Sequence, residues 1–323
     1  AVLESIDRVD LNTARTKAHH ALLHAMALDK NYIDVTEDSI AKVATEYYKK
    51  HGPRRNYARA LYYLGKSYYY NEEYDKAILE YSKAEKVAEG CDSLYLGMIK
   101  VAQADTYNNT YNSIEELNCS QDALKILREV GAEKYLRPTM FSLGKAYHNC
   151  DKYQEAIQIY KSLIESSTEV DFYTIQAYLG LAYSMIELPL TNYKTVCDLF
   201  EKVHILDETC FSENDYWAWA YSLYRIDKSA EAEEIIRNHT TTDELAANFW
   251  KMRISEYLKD YESCYMYSLL TDRYENDVVE NILEESLASY QRDYYQSELE
   301  SSEYKVKTRT MGLIGVIVIA VLI

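Results

Sequence analysis

A 25-residue stretch of this chain occurs twice in the same register, without a gap. The segment ALYYLGKSYYYNEEYDKAILEYSKA at residues 60–84 returns as TMFSLGKAYHNCDKYQEAIQIYKSL at residues 139–163. In both copies a glycine (Gly65, Gly144) is followed by a tyrosine three residues later, an alanine twelve later and a second tyrosine sixteen later. A period of this length without a strand signal indicates stacked helical hairpins. Only nine Gly and three Pro in 323 residues also argue against an all-β fold, which needs many tight turns.

Weaker copies of the pattern occur between and after these two. The position of the small residue recurs at 65, 104, 144, 180, 220 and 252, where the last copy has methionine. The copy at Ala104 matches if a seven-residue insertion brings Ala123 and Leu127 to the later positions, and the copy at Gly180 matches with a four-residue insertion before Val196 and Phe200. The last two copies are degenerate. The spacing therefore predicts helical hairpins over most of residues 1–280.

This spacing resembles the tetratricopeptide repeat, in which a small residue in the first helix of a hairpin lets the second helix pack closely. The resemblance implies an all-α fold, a right-handed superhelical array of hairpins. Large aromatic side chains at the recurrent offsets fill the space towards the next hairpin. We therefore assign the recurrent tyrosines to packing: they are Tyr68, Tyr81, Tyr147, Tyr160 and Tyr183.

Both ends of the chain carry further predictions. Residues 13–29 and 36–50 fit one more hairpin, with Thr36 as the candidate N-cap of its second helix and Gly52 and Pro53 ending it. Residues 281–310 fit a helical stalk. Residues 311–323, MGLIGVIVIAVLI, are apolar throughout but too few to span a bilayer, which needs about 20 residues. We interpret them as the start of a truncated transmembrane helix; a short tail anchor and a buried core helix are the alternatives.

Charge and motifs exclude several classes of function. The chain has 52 acidic and 35 basic residues, a formal charge of −17, and no basic stripe, so we expect no nucleic acid to contact this segment. His20 and His24 have the helical spacing of a metal pair but no third ligand, and the scattered cysteines form no zinc motif. Gly65-Lys66-Ser67 lacks the earlier glycine of a phosphate-binding loop. We therefore expect no metal, no cofactor and no enzymatic activity.

The repeat offsets predict which side chains line the concave face. Stacked hairpins curve, and the first helix of each hairpin lines the inner surface. The candidate ligand-binding residues at those offsets are Arg59, Tyr62, Lys66, Tyr69, Asn108, Asn109, Phe141, Lys145 and His148. Lys66 and Lys145 are candidates for holding a carboxylate of a protein or peptide. The groove does not reproduce the Lys/Asn/Asn/Lys/Arg set of tetratricopeptide modules that clamp chaperone C-termini, because Tyr62 and Asp105 occupy groove positions.

The chain as a whole resembles the tetratricopeptide proteins of gut Bacteroidetes. The runs RTKAHHALLHAMALDKNYIDVTEDSIAKVATEYYKKHG, YYLGKSYYYNEEYDKAILEYSKAEKVAE and ASYQRDYYQSELE carry this resemblance. It implies a single-pass membrane regulator whose repeat array is periplasmic and binds a protein or peptide. Lys305, Lys307 and Arg309 before the apolar run favour the opposite side of the membrane. The alternative is a tail-anchored cytoplasmic scaffold that recruits partner proteins to a membrane.

Overall fold

The computed structural model describes residues 11–239 and 244–272, and within these ranges the regular structure is helical. Turns and short loops join successive helices from α1 to α12, and among the described residues one 3₁₀ turn spans Glu208–Cys210. The helices are α1 (Ala14–Lys30), α2 (Ser39–His51), α3 (Arg54–Tyr70), α4 (Tyr74–Ala88), α5 (Ser93–Asn109), α6 (Ser113–Glu129), α7 (Glu133–Asn149), α8 (Tyr153–Glu165), α9 (Phe172–Ile186), α10 (Tyr193–Leu206), α11 (Glu213–Tyr224), α12 (Ser229–His239), α13 (Glu244–Tyr257) and α14 (residues 261–272). The all-α prediction is confirmed.

The helices pack in chain order as antiparallel hairpins. Each helix from α1 to α9 contacts the next one in sequence, and the odd-numbered helices also contact one another from α1 through α13. The odd-numbered helices therefore form one layer of the array and are called the inner helices below. This is the layer that the sequence predicts to carry the ligand groove.

The turn after most inner helices has the same backbone geometry. One non-glycine residue takes a positive φ at Tyr32, Glu72, Tyr111, Asp151, Asp227 and Lys259. Five of these residues lie seven positions after positions 65, 104, 144, 220 and 252, which are equivalent in the repeat copies. Left-handed backbone is uncommon outside glycine, so its recurrence at one offset confirms the repeat register independently of side-chain identity.

The two clearest copies pack as the glycine positions predict. A Cβ atom on Gly65 would lie 2.5 Å from the ring of Tyr81, and one on Gly144 would lie 2.6 Å from the ring of Tyr160. Tyr160 also lies against Gly180 of the next hairpin, where a Cβ would come within 2.4 Å of its ring. Tyr81 and Tyr160 are 1% and 3% exposed, so their predicted packing role is confirmed.

The predicted seven-residue insertion after Ala104 is wrong. Helix α6 begins nine residues after Ala104, as α4 begins nine residues after Gly65. The positions that hold alanine and tyrosine in the clear copies are therefore Glu116 and Ser120, both buried. Residue types favoured Ala123 and Leu127 for these two repeat positions, because a glutamate does not resemble the alanine that it replaces. By contrast, α10 begins thirteen residues after Gly180, so the four-residue insertion is confirmed.

The second helix of the first hairpin has a different N-cap from the predicted one. Thr13 caps α1 and accepts a hydrogen bond from the backbone N–H of Thr16, while the residue before α2 is Asp38 and not Thr36. The backbone carbonyl of Thr36 accepts a hydrogen bond from the Asn71 side-chain amide, which holds this segment against the turn after α3. That contact comes from a neighbouring hairpin, so local sequence did not reveal it.

The membrane-related predictions fall on residues that the structure does not describe. Within residues 11–239 and 244–272, no helix is both long enough and apolar enough to cross a bilayer. The proposed stalk, residues 281–310, and the apolar segment, residues 311–323, lie outside the described residues. The predicted boundary at residue 280 lies there too.

Candidate functional site

Predicted groove residues contact one another across neighbouring hairpins. The side-chain amide of Asn109 on α5 donates to the Tyr69 hydroxyl on α3, with an Nδ2–Oη distance of 3.0 Å. Lys145 Nζ on α7 donates to Asn108 Oδ1 at 2.7 Å. His148 Nδ1 lies 3.1 Å from Ser184 Oγ on α9. The offsets thus place polar side chains from four successive inner helices in one continuous row.

A polar cavity opens where the C-terminal ends of α5 and α7 meet the turns of their hairpins. Its volume is about 520 Å³, within the usual range for ligand pockets. Its lining includes the predicted residues Asn108, Asn109 and Lys145. The lining residues are Tyr74, Asn108, Asn109, Tyr111, Ser113, Glu116, Lys145 and Asn149.

Glu116 organises this cavity. Its carboxylate is 3% exposed and accepts hydrogen bonds from two amides, Asn108 Nδ2 at 3.2 Å and Asn149 Nδ2 at 2.9 Å. A buried carboxylate without hydrogen bonds is costly, so these contacts orient both asparagines. In the clear repeat copies the same position is a buried alanine, Ala77 or Ala156. This copy therefore has a buried, hydrogen-bonded carboxylate where the clear copies have a small core side chain.

Among the described residues, the side chains of Asn149 and Lys145 have hydrogen-bonding groups that remain free to bind a ligand. An asparagine side chain offers two N–H donors and a carbonyl oxygen. Within the described part of the chain, Asn149 uses one N–H and leaves its carbonyl oxygen without a protein partner. Lys145 is exposed and donates one hydrogen bond, to Asn108. These groups match the alternating N–H and C=O groups of an extended peptide backbone.

Asp105, on the inner helix between Lys66 and Lys145, has a perturbed carboxyl group. Its side chain is exposed to solvent, but the surrounding groove desolvates it enough to raise its pKa to about 6. Lys145 and Lys66 act against this shift, and the charge of Glu116 adds to it. Asp105 is therefore the groove carboxyl group that titrates nearest to neutral pH among the described residues with a resolved shift.

The two lysines predicted to bind a carboxylate differ in whether they are free to bind a ligand. Lys66 is half-buried and forms an ion pair with Asp29 of α1, and its Nζ lies 5.4 Å from the centre of the Tyr70 ring. Burial opposes its charge, but the contact with Asp29 outweighs burial and raises the pKa of Lys66. Lys66 is thus already neutralised by a carboxylate of the chain itself. Lys145 has an uncharged partner and faces solvent.

Three other predicted residues serve the scaffold. Arg59 Nε donates to Asp92 Oδ2 at 2.7 Å, which ties α3 to the residue before α5. Tyr62 is 5% exposed and packs in the core, its ring contacting those of Tyr63, Tyr81 and Tyr95. Phe141 is half-buried against Tyr160 and Tyr173.

His148 belongs to the row but is held neutral. Burial lowers the pKa of its imidazole, and the negative charges of Glu187 and Asp151 oppose that shift without cancelling it. Its ring also packs edge-on against Tyr153 at 5.3 Å. His148 therefore acts as a hydrogen-bonding group between α7 and α9.

The groove offsets also apply to the two degenerate copies, which the sequence analysis did not use. They place Tyr221 and Arg225 at the groove positions of α11, and Arg253 and Tyr257 at those of α13. Arg253 Nη1 donates to Glu187 Oε1 at 2.5 Å and lies over the Tyr221 ring at 4.9 Å. The C-terminal part of the inner layer is thus aromatic and arginine-rich.

A larger cavity, about 750 Å³, lies beside the first hairpin. His19, His20 and His51 are among its lining residues, and so is Leu11, the first residue that the structure describes. The rings of His20 and His24 lie 5.8 Å apart. Over the described ranges no group of three or more His, Cys, Asp or Glu side chains is arranged to hold a metal ion. The cavity formed by α5, α6 and α7 is instead lined by predicted groove residues, and it is therefore taken as the candidate site.

Comparison with known proteins identifies the fold. No protein-family model and no curated protein matches the chain. Among solved structures, apo RapI is similar with a TM-score of 0.60 and 13% identity, over 83% of this chain and 99% of RapI. A tetratricopeptide repeat protein from Parabacteroides merdae has a TM-score of 0.56 and 15% identity, over 84% of this chain and 99% of that one.

A third similar structure is a Rap protein complexed with competence and sporulation factor. Its TM-score is 0.56 and its identity 14%, over 86% of this chain and 90% of the Rap chain. At these identities the likeness concerns the fold. The chain is therefore a tetratricopeptide-like helical repeat protein.

Proposed function

We propose that the inner face of the array binds an extended peptide or a segment of a partner protein. The observation that carries this proposal is the cavity in which Glu116 orients Asn108 and Asn149 beside Lys145. Amide side chains fixed in this way can bond to peptide backbone groups whatever the peptide sequence, and neighbouring pockets then select side chains. Stacked helical repeats present extended concave surfaces suited to such ligands.

The complex of a Rap protein with its factor supports a ligand-binding role for this fold. Within the described residues the site holds a buried glutamate already bonded to two amides and no adjacent nucleophile–base pair. We therefore propose recognition without catalysis.

The binding test uses a pool of random fluorescent octapeptides and the full 323-residue chain. Asn149→Ala removes one oriented amide, and we expect about tenfold weaker binding of the retained peptides, the loss of roughly 1.4 kcal/mol. The matched control is Gln158→Ala on outer helix α8, an exposed amide away from the cavity. Equal binding by both variants would remove this cavity as the ligand site.

We further propose that the array is the extracytoplasmic sensing part of a single-pass membrane regulator. This rests on the resemblance of the sequence to the Bacteroidetes proteins and on the apolar segment at residues 311–323. The test places a single cysteine at the exposed position Glu233, after replacement of the six native cysteines, and treats intact cells with a membrane-impermeant maleimide. Labelling of intact cells supports the proposal. Labelling only after lysis would favour the tail-anchored cytoplasmic scaffold, as the basic residues before the apolar run do.

A further inference from the structure

Arg225 is held by aromatic side chains at the C-terminal end of α11. Its guanidinium lies 4.2 Å from the centre of the Tyr193 ring and 5.2 Å from that of Tyr257. One nitrogen, Nη1, donates to the hydroxyl of Tyr193 at 3.0 Å and to that of Tyr221 at 2.6 Å. These contacts fix the plane of a half-buried cation.

The pairing of Arg225 differs from that of most half-buried cations of the array. Lys251, which lies over the rings of Trp217 and Tyr267, is another that has no carboxylate partner among the described residues. Arg59, Lys66, Lys100, Arg137 and Arg253 each lie within 4.0 Å of a carboxylate oxygen. Across residues 11–239 and 244–272, no carboxylate lies within that distance of Arg225, although the chain has a net charge of −17. Its nearest acidic residue in sequence, Asp227, accepts a hydrogen bond from Tyr257 at 3.4 Å instead.

The unbonded edge of Arg225 has the geometry that a carboxylate requires. In the part of the chain that the structure describes, Nε and Nη2 donate to no protein atom. The N–H groups of these two nitrogens point in the same direction and match the two oxygens of a carboxylate. Arg137 uses the same edge on Asp171, with Nε–Oδ2 at 2.9 Å and Nη2–Oδ1 at 2.8 Å.

We propose that Arg225 is a binding residue for a carboxylate group of the ligand, at the C-terminal end of the groove. This inference rests on the proposed peptide-binding function and adds one chemical requirement to the ligand. Tyr193 and Tyr221 hold the guanidinium so that its Nε–Nη2 edge stays open. The carboxylate is either the peptide C-terminus or an Asp or Glu side chain.

A titration with a small carboxylate tests Arg225 without any peptide. The side-chain Nε–H resonances of arginine are followed by NMR in the full chain, and the signal of Arg225 is assigned with Arg225→Lys. N-acetylalanine should shift the Arg225 signal in a saturable way, while N-acetylalanine amide should not. Arg137, whose edge is occupied by Asp171, is the internal control and should not move. An unmoved Arg225 signal overturns the proposal.

Peptide pools then identify the source of the carboxylate. Three octapeptide pools are compared: free C-terminus without Asp or Glu, amidated without Asp or Glu, and amidated with Asp and Glu. We expect the wild-type chain to prefer one carboxylate-bearing pool about tenfold over the amidated neutral pool, and Arg225→Gln to abolish that preference. Arg225→Lys, which keeps the charge but loses the two-nitrogen edge, should recover only part of it.

The control cation for this comparison is Lys202, which stacks on Tyr178 at 4.1 Å and donates to its hydroxyl at 2.7 Å. Lys202→Gln should bind all three pools as the wild type does. Equal preference in the Arg225→Gln and wild-type chains overturns the proposal while leaving peptide binding intact. A shifted Arg225 signal together with no binding of any pool would instead overturn the proposed function and retain the carboxylate site.

Discussion

Each end of the inner layer has one ion-paired cation and one cation held by uncharged groups, and those uncharged groups differ between the two ends. At the N-terminal end, Lys66 is neutralised by Asp29 from the first hairpin, and the lysine that faces solvent, Lys145, lies in a network of amides organised by Glu116. At the C-terminal end, Arg253 is paired with Glu187, while Arg225 is held by tyrosine rings and hydroxyls with one edge unbonded.

A positively charged side chain on the inner layer is therefore not always free to bind a ligand. Sequence offsets show that a lysine or arginine lies on the inner face, but its partner decides whether it can hold a ligand. Lys66 and Arg225 both lie on the inner layer, but of the two only Arg225 has an edge without a protein partner among the described residues. The N-terminal end thus offers oriented amides, which suit a peptide backbone, and the C-terminal end offers a guanidinium, which suits a carboxylate.

Removing the tyrosine that joins two hairpins should have the largest effect on stability. Tyr160 is 3% exposed and lies against both Gly144 and Gly180. Tyr160→Ala should lower the free energy of unfolding by about 3 to 5 kcal/mol, since no nearby side chain can fill the space. Denaturant titration measures the change. Tyr111→Ala, at a tyrosine that is 67% exposed, is the control and should change stability by less than about 0.5 kcal/mol.

Disrupting the contact between the glycine and the tyrosine of one hairpin should have an intermediate effect on stability. Gly65→Ala places a methyl group 2.5 Å from the Tyr81 ring and should cost about 1 to 3 kcal/mol. The copy on α11 has Ala220 and Ile236 at these positions, and Ala220 is fully buried. The double variant Gly65→Ala with Tyr81→Ile copies that pair.

Its loss of stability should be smaller than the sum of the two single losses, because the methyl group no longer meets a ring. Strict additivity in thermal or denaturant unfolding would show that the two kinds of repeat copy pack by different rules.

The smallest effect on stability should come from the titration of Asp105, which lies in the N-terminal part of the groove. The folded-state pKa, about 6, is raised above the ordinary value of 3.8, so the folded chain retains a proton that the unfolded chain loses. Stability should therefore fall as the pH rises from about 4 to about 6. Asp105→Asn should remove this slope and stabilise the chain at pH 7 by no more than about 1 kcal/mol, since the side chain is exposed.

The equivalent position of α11 is Tyr221, which has a phenol in place of the carboxyl group. Tyr221→Phe is therefore the matched control and should leave the slope between pH 4 and 6 unchanged. A slope that persists in Asp105→Asn would assign the titration to another group.

The sequence predicted those features that depend on residues close together in the chain. Gly65 with Tyr81, and Gly144 with Tyr160, fixed the hairpin register, and the same offsets placed Asn108, Asn109 and Lys145 around one cavity. These contacts follow from helical periodicity and from the size of the side chains.

The sequence did not predict features that depend on contacts between hairpins. Asp29 lies 37 residues before Lys66, and no local pattern links them. Glu116 was not predicted because it replaces a core alanine, and the sequence was matched at Ala123 instead. Arg225 could have been found by applying the groove offsets to the degenerate copy at residue 220, but its unbonded edge is visible only in three dimensions.

Ligands are proposed to bind along the inner layer of the array. Photo-crosslinking tests this proposal most directly: octapeptides that carry a benzophenone group are selected on the full chain and irradiated, and mass spectrometry locates the attachment sites. We predict attachment on α5, α7 and α11, near Asn109, Asn149 and Arg225. Attachment confined to outer-helix residues away from the cavity, such as those around Gln158 on α8, would contradict binding at the inner face.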